Sequence, residues 1–440
     1  MALYYLLLRG WIHLGHTEAS MRTLSVVFGV AAIPIMYQLV RATLGPEPAR
    51  IATFLMAIHV LHIRYSQEAR GYALVVLLAL LSCYYFLQMR TSATRRMQAA
   101  YILASILMVY AHVFGVWILL AQWACEPLLQ RTARKTVRIA AGIICIAISP
   151  LAVSLLFVSD RSQLSWMNQS TAPSFWGVLL DLSGNGGSPI LALYLVLLFV
   201  SLRSLLRAPQ RPMRGTLIVY VFLWVWLLLP TFSVAIISQY RPILQTRYLI
   251  VCLPAFLILA ADGLVHIRSK PIFVAALVAI VGMSLVGLNS YYEARADLSH
   301  SDNWRDATGY CLAQARNGDA VLFTYSAEEI PFREYQDQLR GNLDITLVPK
   351  RTELDLLSTA GTWASPALAA STATQNHRVW VITALQPNAH TSEVQAALRT
   401  QLEAESQRSF GFVTTQLFVA ANSDGLPAKP QANQEKHRTD

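Results

Sequence analysis

RTARKTVRIAAGIICIAISPLAVSLLFV, residues 131–158, decides the fold of this chain. Basic side chains crowd its first eight positions, and residues 139–158 carry no charge. An apolar run of about 20 residues is long enough to cross a bilayer core of ~30 Å. Short loops rich in Lys and Arg stay in the cytoplasm. The stretch therefore predicts a transmembrane helix whose amino-terminal end is cytoplasmic.

The same pattern repeats outward along the chain, because clusters of basic residues occupy every second loop. The clusters are Arg41 with Arg50; Arg90, Arg95 and Arg96; Arg131, Arg134, Lys135 and Arg138; Arg203, Arg207, Arg211 and Arg214; and Arg268 with Lys270. The alternate loops hold fewer basic residues, namely Arg9, Arg22, Arg64, Arg70, Arg161, Arg241 and Arg247. This asymmetry predicts a multi-pass membrane protein and isolates the arginines of the non-cytoplasmic side.

Composition argues against a soluble domain, a nucleic-acid-binding protein and a fold held by zinc or disulfides. Of the 440 residues 55% are hydrophobic and 14% charged, and the mean hydropathy is +0.42, whereas soluble domains carry about 25% charged residues. The net charge of +10 lies mostly in the cytoplasmic loops, so topology explains it and no nucleic-acid partner is predicted. The five cysteines form no C-x-x-C pair, which argues against a zinc site or a disulfide framework.

Ten apolar spans are predicted. They cover residues 20–40, 50–64, 71–89, 98–112, 114–129, 137–158, 189–206, 215–237, 247–266 and 271–290. The continuous run 98–129 is divided at 110–115, because both of its flanks are strongly basic and a single crossing would violate the charge rule. The membrane domain is thus assigned to residues 1–294.

Beyond residue 295 the sequence changes to that of a small α/β domain, assigned to 295–421. Residues 304–315 read as an amphipathic helix and 392–406 as a second helix. Strands are expected at 320–324, 345–348, 379–383 and 414–420. The polar tail 422–440 is expected to be disordered.

The first candidate site is YSQEARGY, residues 65–72, on the non-cytoplasmic side. Glu68 and Arg70 could bind a sugar hydroxyl and a phosphate, with Tyr65 beside them. An interfacial loop that keeps its turn hydrated explains the same residues equally well.

Two further candidates lie on the same side. His112 occupies the 110–115 break, where a hydrogen-bonded structural histidine is the alternative to a ligand or a base. SQYRPILQTRY, residues 238–248, contains Arg241, Arg247 and Tyr248. Arg247 lies at the start of an apolar span. Ionisable groups at membrane depth are costly and therefore tend to be functional, so this position favours an anion site. For Arg241 snorkelling to lipid headgroups remains the alternative.

These segments, in this order, resemble polytopic glycosyltransferases of the GT-C type. The similarity is to bacterial family 39 and the dolichyl-phosphate-mannose protein mannosyltransferase-like group, which includes aminoarabinose transferases and RgtA/B/C/D-like enzymes. The motifs that carry it are TEASMRTLSVVFGV (17–30), YSQEARGYAL (65–74), YAHVFG (110–115), TRYLIVCLPAFLILAADGL (246–264) and DNWRDATGYCLAQARNGDAVLF (302–323).

The resemblance also concerns the beginning of the chain. Family members have a first transmembrane helix, then an outer loop with the catalytic Asp or Glu, then a helix similar to ALYYLLL (2–8). Residues 1–14 are too short to span and have no signal-peptide features. We therefore expect the first helix and the acidic base to lie upstream of Met1, and we assign no catalytic residue within this sequence.

The resemblance implies transfer of a sugar from a polyprenyl phosphate to a glycan, lipid or protein acceptor at the outer face of a bacterial inner membrane. It places Arg247 and Arg241 at the phosphate, with Arg70 as a second candidate. Glu68 and Tyr65 would contact the sugar or orient a cation, and His112 and Tyr248 complete the substrate-binding set. No cofactor is required, although a divalent metal is compatible with the chemistry. Two alternatives stay open: a transporter or flippase of lipid-linked substrates, and an inactive truncated homologue.

The charge asymmetry makes a topological prediction. A reporter enzyme that is active only after export should be active when it is fused at residue 300 and silent when it is fused at residue 133. Equal behaviour of the two fusions would contradict the predicted orientation.

Overall fold

The computed structural model describes residues 1–15, 17–92, 94–154, 175–207, 214–240, 243–296, 303–339, 343–349, 362–384 and 389–420. The chain divides into two compact units, Met1–Tyr291 and Tyr292–Asp440. Arg241 and the tail 422–440, which the sequence analysis named, lie outside the described residues.

The first unit is α-helical. Its helices are α1 (Ala2–Trp11), α2 (Glu18–Thr43), α3 (Pro46–Ile58), α4 (Val60–Ser66), α5 (Tyr72–Gln88), α6 (Arg95–Ala111), α7 (Val116–Ala124), α8 (Arg131–Val153), α9 (Phe175–Leu182), α10 (Gly187–Arg207), α11 (Arg214–Ile237), α12 (Leu253–Val265) and α13 (Lys270–Ala296). Each predicted span contains a helix, and the 50–64 span is divided between α3 and α4.

Five helices of the described residues have the length and composition needed to cross a membrane. They are Glu18–Thr43, Arg131–Val153, Gly187–Leu206, Thr216–Ile237 and Lys270–Arg295; shorter apolar helices cover Tyr72–Gln88, Val113–Leu128 and Ile250–Val265. Large apolar side chains such as Ile146, Phe199 and Val278 are exposed on these helices, as expected of surfaces that face lipid rather than water. The chain is a multi-pass membrane protein.

The predicted division of the 98–129 run is confirmed. Helix α6 ends at Ala111, His112 is extended, and a 3-10 turn (Val113–Gly115) leads into α7. The Tyr101 hydroxyl donates to Gln122 Oε1 over 2.9 Å, whereas an unbroken helix would hold these residues about 30 Å apart. The chain therefore reverses direction at His112, and α6 and α7 run antiparallel.

A buried carboxylate joins three spans at the other end of the bundle. Asp262 of α12, 2% exposed, accepts a 2.6 Å hydrogen bond from Ser201 of α10 and a 2.8 Å hydrogen bond from Tyr220 of α11. Burying a carboxylate is costly unless it is hydrogen-bonded. The two hydroxyls therefore fix how these three helices pack.

The second unit contains helices α14 (Trp304–Gln314), α15 (Glu329–Gln338), α16 (Pro366–Gln375) and α17 (Ala389–Arg399), and strands β1 (Ala320–Phe323), β2 (Thr346–Val348), β3 (Arg378–Thr383), β4 (Glu403–Phe410) and β5 (Val413–Val419). The sheet order is β2-β1-β3-β5-β4. Strands β2, β1 and β3 are parallel, and β5 is antiparallel to both β3 and β4.

The predicted helix over 392–406 is wrong in its second half. Helix α17 ends at Arg399, and β4 begins at Glu403. The β4 segment EAESQRSF is rich in residues that favour helices, but it pairs with β5 through a turn at Gly411, whose φ is +62°. Pairing with a neighbouring strand outweighs the local preference.

The Asp262 junction predicts a stability effect. Asp262→Ala should lower the free energy of unfolding by about 1–3 kcal/mol, because it leaves two buried hydroxyls without their acceptor. Ser201→Ala, which removes one of the two bonds, should cost less, and thermal unfolding in detergent measures both. Equal stability of wild type and Asp262→Ala would contradict the assigned role.

Candidate functional site

The candidate site lies where the chain leaves regular helix in the first unit. Three such segments meet: the connection between α4 and α5 (residues 67–71), the break at His112, and residues 243–252, which form the 3-10 turns Thr246–Tyr248 and Ile250–Cys252 before α12. Their aromatic side chains form one continuous cluster, which brings together residues that are up to about 180 positions apart in sequence.

The aromatic cluster consists of Tyr65, Tyr72, His112, Phe114 and Tyr248. Ring centroids lie 4.9 Å apart for Tyr65 and Tyr72, and 5.5 Å apart for Tyr72 and His112. The centroid of Tyr248 lies 5.7 Å from that of His112 and 4.5 Å from that of Phe114, with the latter pair stacked. Such contacts add about 0.5–1.5 kcal/mol each beyond burial, so the cluster holds the three segments together.

His112 connects the cluster to the backbone. It is 5% exposed, and its Nδ1 accepts a 3.2 Å hydrogen bond from the Phe114 amide. This bond requires Nδ1 to be unprotonated, so the neutral ring carries its proton on Nε2. The structural interpretation of His112 is thereby supported, and its ring also faces the aromatic cluster.

Arg247 contacts this cluster through its charged side chain. It lies on the Thr246–Tyr248 turn, with its guanidinium carbon 5.3 Å from the centroid of the Tyr248 ring. It interacts electrostatically with Tyr65, Tyr72 and His112. Contact with an aromatic face orients the guanidinium.

Glu68 pairs with a residue that the sequence analysis did not select. Its Oε1 lies 3.7 Å from Arg64 Nε, one helical turn earlier, and the Arg64 guanidinium lies 5.4 Å from the centroid of the Tyr65 ring. The sequence placed Arg64 among the outer arginines. An arginine four residues before a glutamate, at the end of an apolar span, was the signal that could have identified this pair.

The Arg70 side chain lies beside that of Tyr72, and the two interact electrostatically. The backbone carbonyl of Arg70 accepts a 3.3 Å hydrogen bond from Ser25, and Ser25 in turn contacts the Tyr4 hydroxyl at 2.7 Å. Ser25 of α2 thus holds the backbone of the 67–71 segment, and Tyr4 of α1 contacts Ser25. Tyr4 and Ser25 are fully buried, and the sequence analysis did not select either one.

The structure therefore gathers Tyr65, Glu68, Arg70, His112, Arg247 and Tyr248 around one cluster and adds Arg64, Tyr72 and Phe114 to it. Arg241 lies outside the described residues. Within the described part of the chain no group of three or more His, Cys, Asp or Glu side chains could hold a metal ion.

No family model matches the sequence, and no curated protein matches it. Among solved structures, ArnT from Cupriavidus metallidurans, bound to undecaprenyl phosphate, is similar over 97% of this chain and 88% of that chain, with a TM-score of 0.60 and 11% identity. The chain has the GT-C fold.

Two other solved structures are similar at lower scores. The AglB oligosaccharyltransferase from Archaeoglobus fulgidus, in complex with an inhibitory peptide and a dolichol-phosphate, has a TM-score of 0.49 and 12% identity over 97% of this chain and 66% of that chain. The arabinofuranosyltransferase AftD from Mycobacteria has a TM-score of 0.48 and 12% identity over 92% of this chain and 34% of that chain.

Close backbone approach at Gly71 makes a prediction about the site. A Cβ at this position would lie 3.0 Å from the Ala111 carbonyl oxygen, so Gly71→Ala must push the 67–71 segment away from the His112 break. We expect a loss of about 1–3 kcal/mol in unfolding free energy. Gly142→Ala is the matched control, because a Cβ there meets nothing within 4 Å, and it should be neutral or slightly stabilising. Equal thermal stability of the two variants would contradict the prediction.

Proposed function

We propose that this chain is an integral-membrane glycosyltransferase that moves a sugar from a polyprenyl phosphate to an acceptor at the outer face of the bacterial inner membrane. The observation that carries the proposal is the position of Arg247 within the aromatic cluster. An arginine held against aromatic rings at a break between membrane spans suits the binding of a lipid-linked phosphate. ArnT, whose fold this chain has, is described as bound to undecaprenyl phosphate.

The chemistry assigns a task to each residue. When the sugar–phosphate bond breaks, negative charge builds on the phosphate oxygens while the anomeric carbon becomes electron-poor. The acceptor oxygen bonds to that carbon and gives up its proton to a general base, for which no described residue is assigned. Arg247 would bind those oxygens through its planar fork of N–H donors, with Arg70 as the second cation. Donors already in place where charge develops lower the barrier, since they need no reorganisation during the reaction.

The other residues of the cluster would bind the sugar and the lipid head. Glu68, held by Arg64, would accept hydrogen bonds from sugar hydroxyls beside Tyr65. His112 and Tyr248 would line the position of the phosphate, and the surrounding apolar spans would flank the prenyl chain. Glycans, lipids and proteins are the acceptor classes, and the Tyr292–Asp440 unit would lie outside the cytoplasm with the site. A divalent metal is compatible with this chemistry, and the described residues contain no group of three or more His, Cys, Asp or Glu side chains that could hold one.

The phosphate assignment predicts the behaviour of Arg247 variants. Arg247→Ala, with the rest of the protein unchanged, should lower the rate of sugar transfer by roughly 10²–10³-fold, the scale of a lost oxyanion donor, while membrane insertion persists. Arg247→Lys should recover part of the loss, because an ammonium keeps the charge and lacks the fork. The assay uses purified protein in detergent with undecaprenyl-phosphate sugars and a panel of acceptors.

Arg22→Ala serves as the control, because Arg22 forms an exposed i,i+4 ion pair with Glu18 and has no assigned role. It should retain wild-type turnover. Wild-type turnover by Arg247→Ala would end the phosphate assignment. If the wild-type protein binds the donor and transfers nothing to any acceptor, the glycosyltransferase proposal fails in favour of a carrier or a non-catalytic homologue.

A further inference from the structure

Asp181 contacts the segment that carries Arg247. Its Oδ2 accepts a 2.6 Å hydrogen bond from the Thr246 hydroxyl, and Thr246 is 6% exposed and directly precedes Arg247. Asp181 lies in the last turn of α9, 65 positions away in sequence. A short bond to a carboxylate is among the stronger hydrogen bonds in proteins. Neither the sequence motifs nor the proposed mechanism uses Asp181.

The end of α9 that carries Asp181 is itself fixed. Gly184 has a φ of +102°, and its amide donates to the Asp181 carbonyl over 3.0 Å. Asn185 donates to Leu180 over 3.1 Å, which completes a helix cap of the kind that glycine permits. A Cβ at Gly287 of α13 would lie 2.4 Å from the Gly184 carbonyl oxygen, so the backbone of α13 packs directly against this turn.

The Arg247 turn is held by hydrogen bonds on both sides of Arg247. Its backbone hydrogen bonds are local, from Tyr248 to Gln245 over 2.9 Å and from Leu249 to Thr246 over 3.0 Å. Farther along, Trp226 Nε1 donates to the Val251 carbonyl over 2.8 Å. Trp226 thus fastens the carboxyl-terminal side of the segment. On the amino-terminal side of Arg247, the hydrogen bond to Asp181 links the turn to a separate helix.

We propose that Asp181 is a positioning residue that acts through Thr246 to fix the direction of the Arg247 guanidinium. The proposal rests on the proposed function, because it assigns Arg247 to the donor phosphate. Asp181 itself would not touch the substrate. Its carboxylate holds the Thr246 hydroxyl, the hydroxyl fixes the 3-10 turn, and the turn presents Arg247 to the donor phosphate.

The test measures binding of undecaprenyl phosphate to the full-length protein in detergent. Thr246→Val removes the hydroxyl and keeps the shape, so it should weaken binding by about tenfold, the scale of one buried hydrogen bond. Thr246→Ser, which keeps the donor, should restore most of the affinity. Asp181→Ala should match Thr246→Val, and the double variant should be no worse than either single variant.

Thr43→Val is the matched control, because the Thr43 hydroxyl bonds within its own helix to Leu39 over 2.8 Å. It should bind undecaprenyl phosphate as the wild type does. If the role of Asp181 were merely structural, Asp181→Ala would lower thermal stability and leave the affinity of the folded protein for undecaprenyl phosphate unchanged. Unchanged affinity in Thr246→Val, or additive losses in the double variant, would overturn the proposal.

Failure of the proposed function is separable from failure of this inference. If Arg247→Ala binds undecaprenyl phosphate as tightly as the wild type, the phosphate assignment fails. Amide hydrogen exchange over residues 244–249 then still reports on the turn. It should accelerate in Asp181→Ala and not in Thr43→Val, and unchanged exchange in Asp181→Ala would show that Asp181 does not hold the turn.

Discussion

The structure of the first unit depends on one constraint: a helix interrupted inside an apolar bundle must give its freed backbone groups new partners. Two histidines meet this requirement in the same way. His59, extended between α3 and α4, accepts the Leu61 amide at its Nδ1 over 3.2 Å, and His112 accepts the Phe114 amide at 3.2 Å. Each ring caps the helical segment that follows it, so the chain can break at a buried position.

The breaks are also where the candidate site forms. Side chains of a continuous helix have little freedom to converge on one site. An extended residue at a helix break, such as His112, can instead turn its ring toward neighbouring segments. The ring of His112 therefore serves as a cap and as the centre of an aromatic cluster that reaches Tyr72 and Tyr248. We infer that stability and the proposed donor binding share residues here, and that the hydrogen bond from Thr246 to Asp181 adds a second support for the segment that carries Arg247.

Buried carboxylates join distant segments in both units. Asp262 connects α10, α11 and α12, and Asp319 in the second unit accepts hydrogen bonds from Arg378 Nε and Trp380 Nε1, each over 3.1 Å. Glu328 likewise accepts the Ala384 amide over 2.7 Å. Each carboxylate costs free energy to bury, and each has several donors that offset this cost. Such groups specify which segments meet, a task that apolar contacts perform with less selectivity.

The sequence by itself predicted the helices of the membrane domain, their break at 110–115 and the type of fold, because hydropathy, charge asymmetry and motif order are local or additive properties of the chain. It also selected most of the arginine and aromatic residues of the candidate site. Only the tertiary structure decided their partners: Glu68 with Arg64, Arg70 with Tyr72, and Thr246 with Asp181. It also decided that β4 is a strand rather than a helix. Those outcomes depend on contacts, some of them between residues tens of positions apart, and on competition between neighbouring partners, which neither periodicity nor composition records.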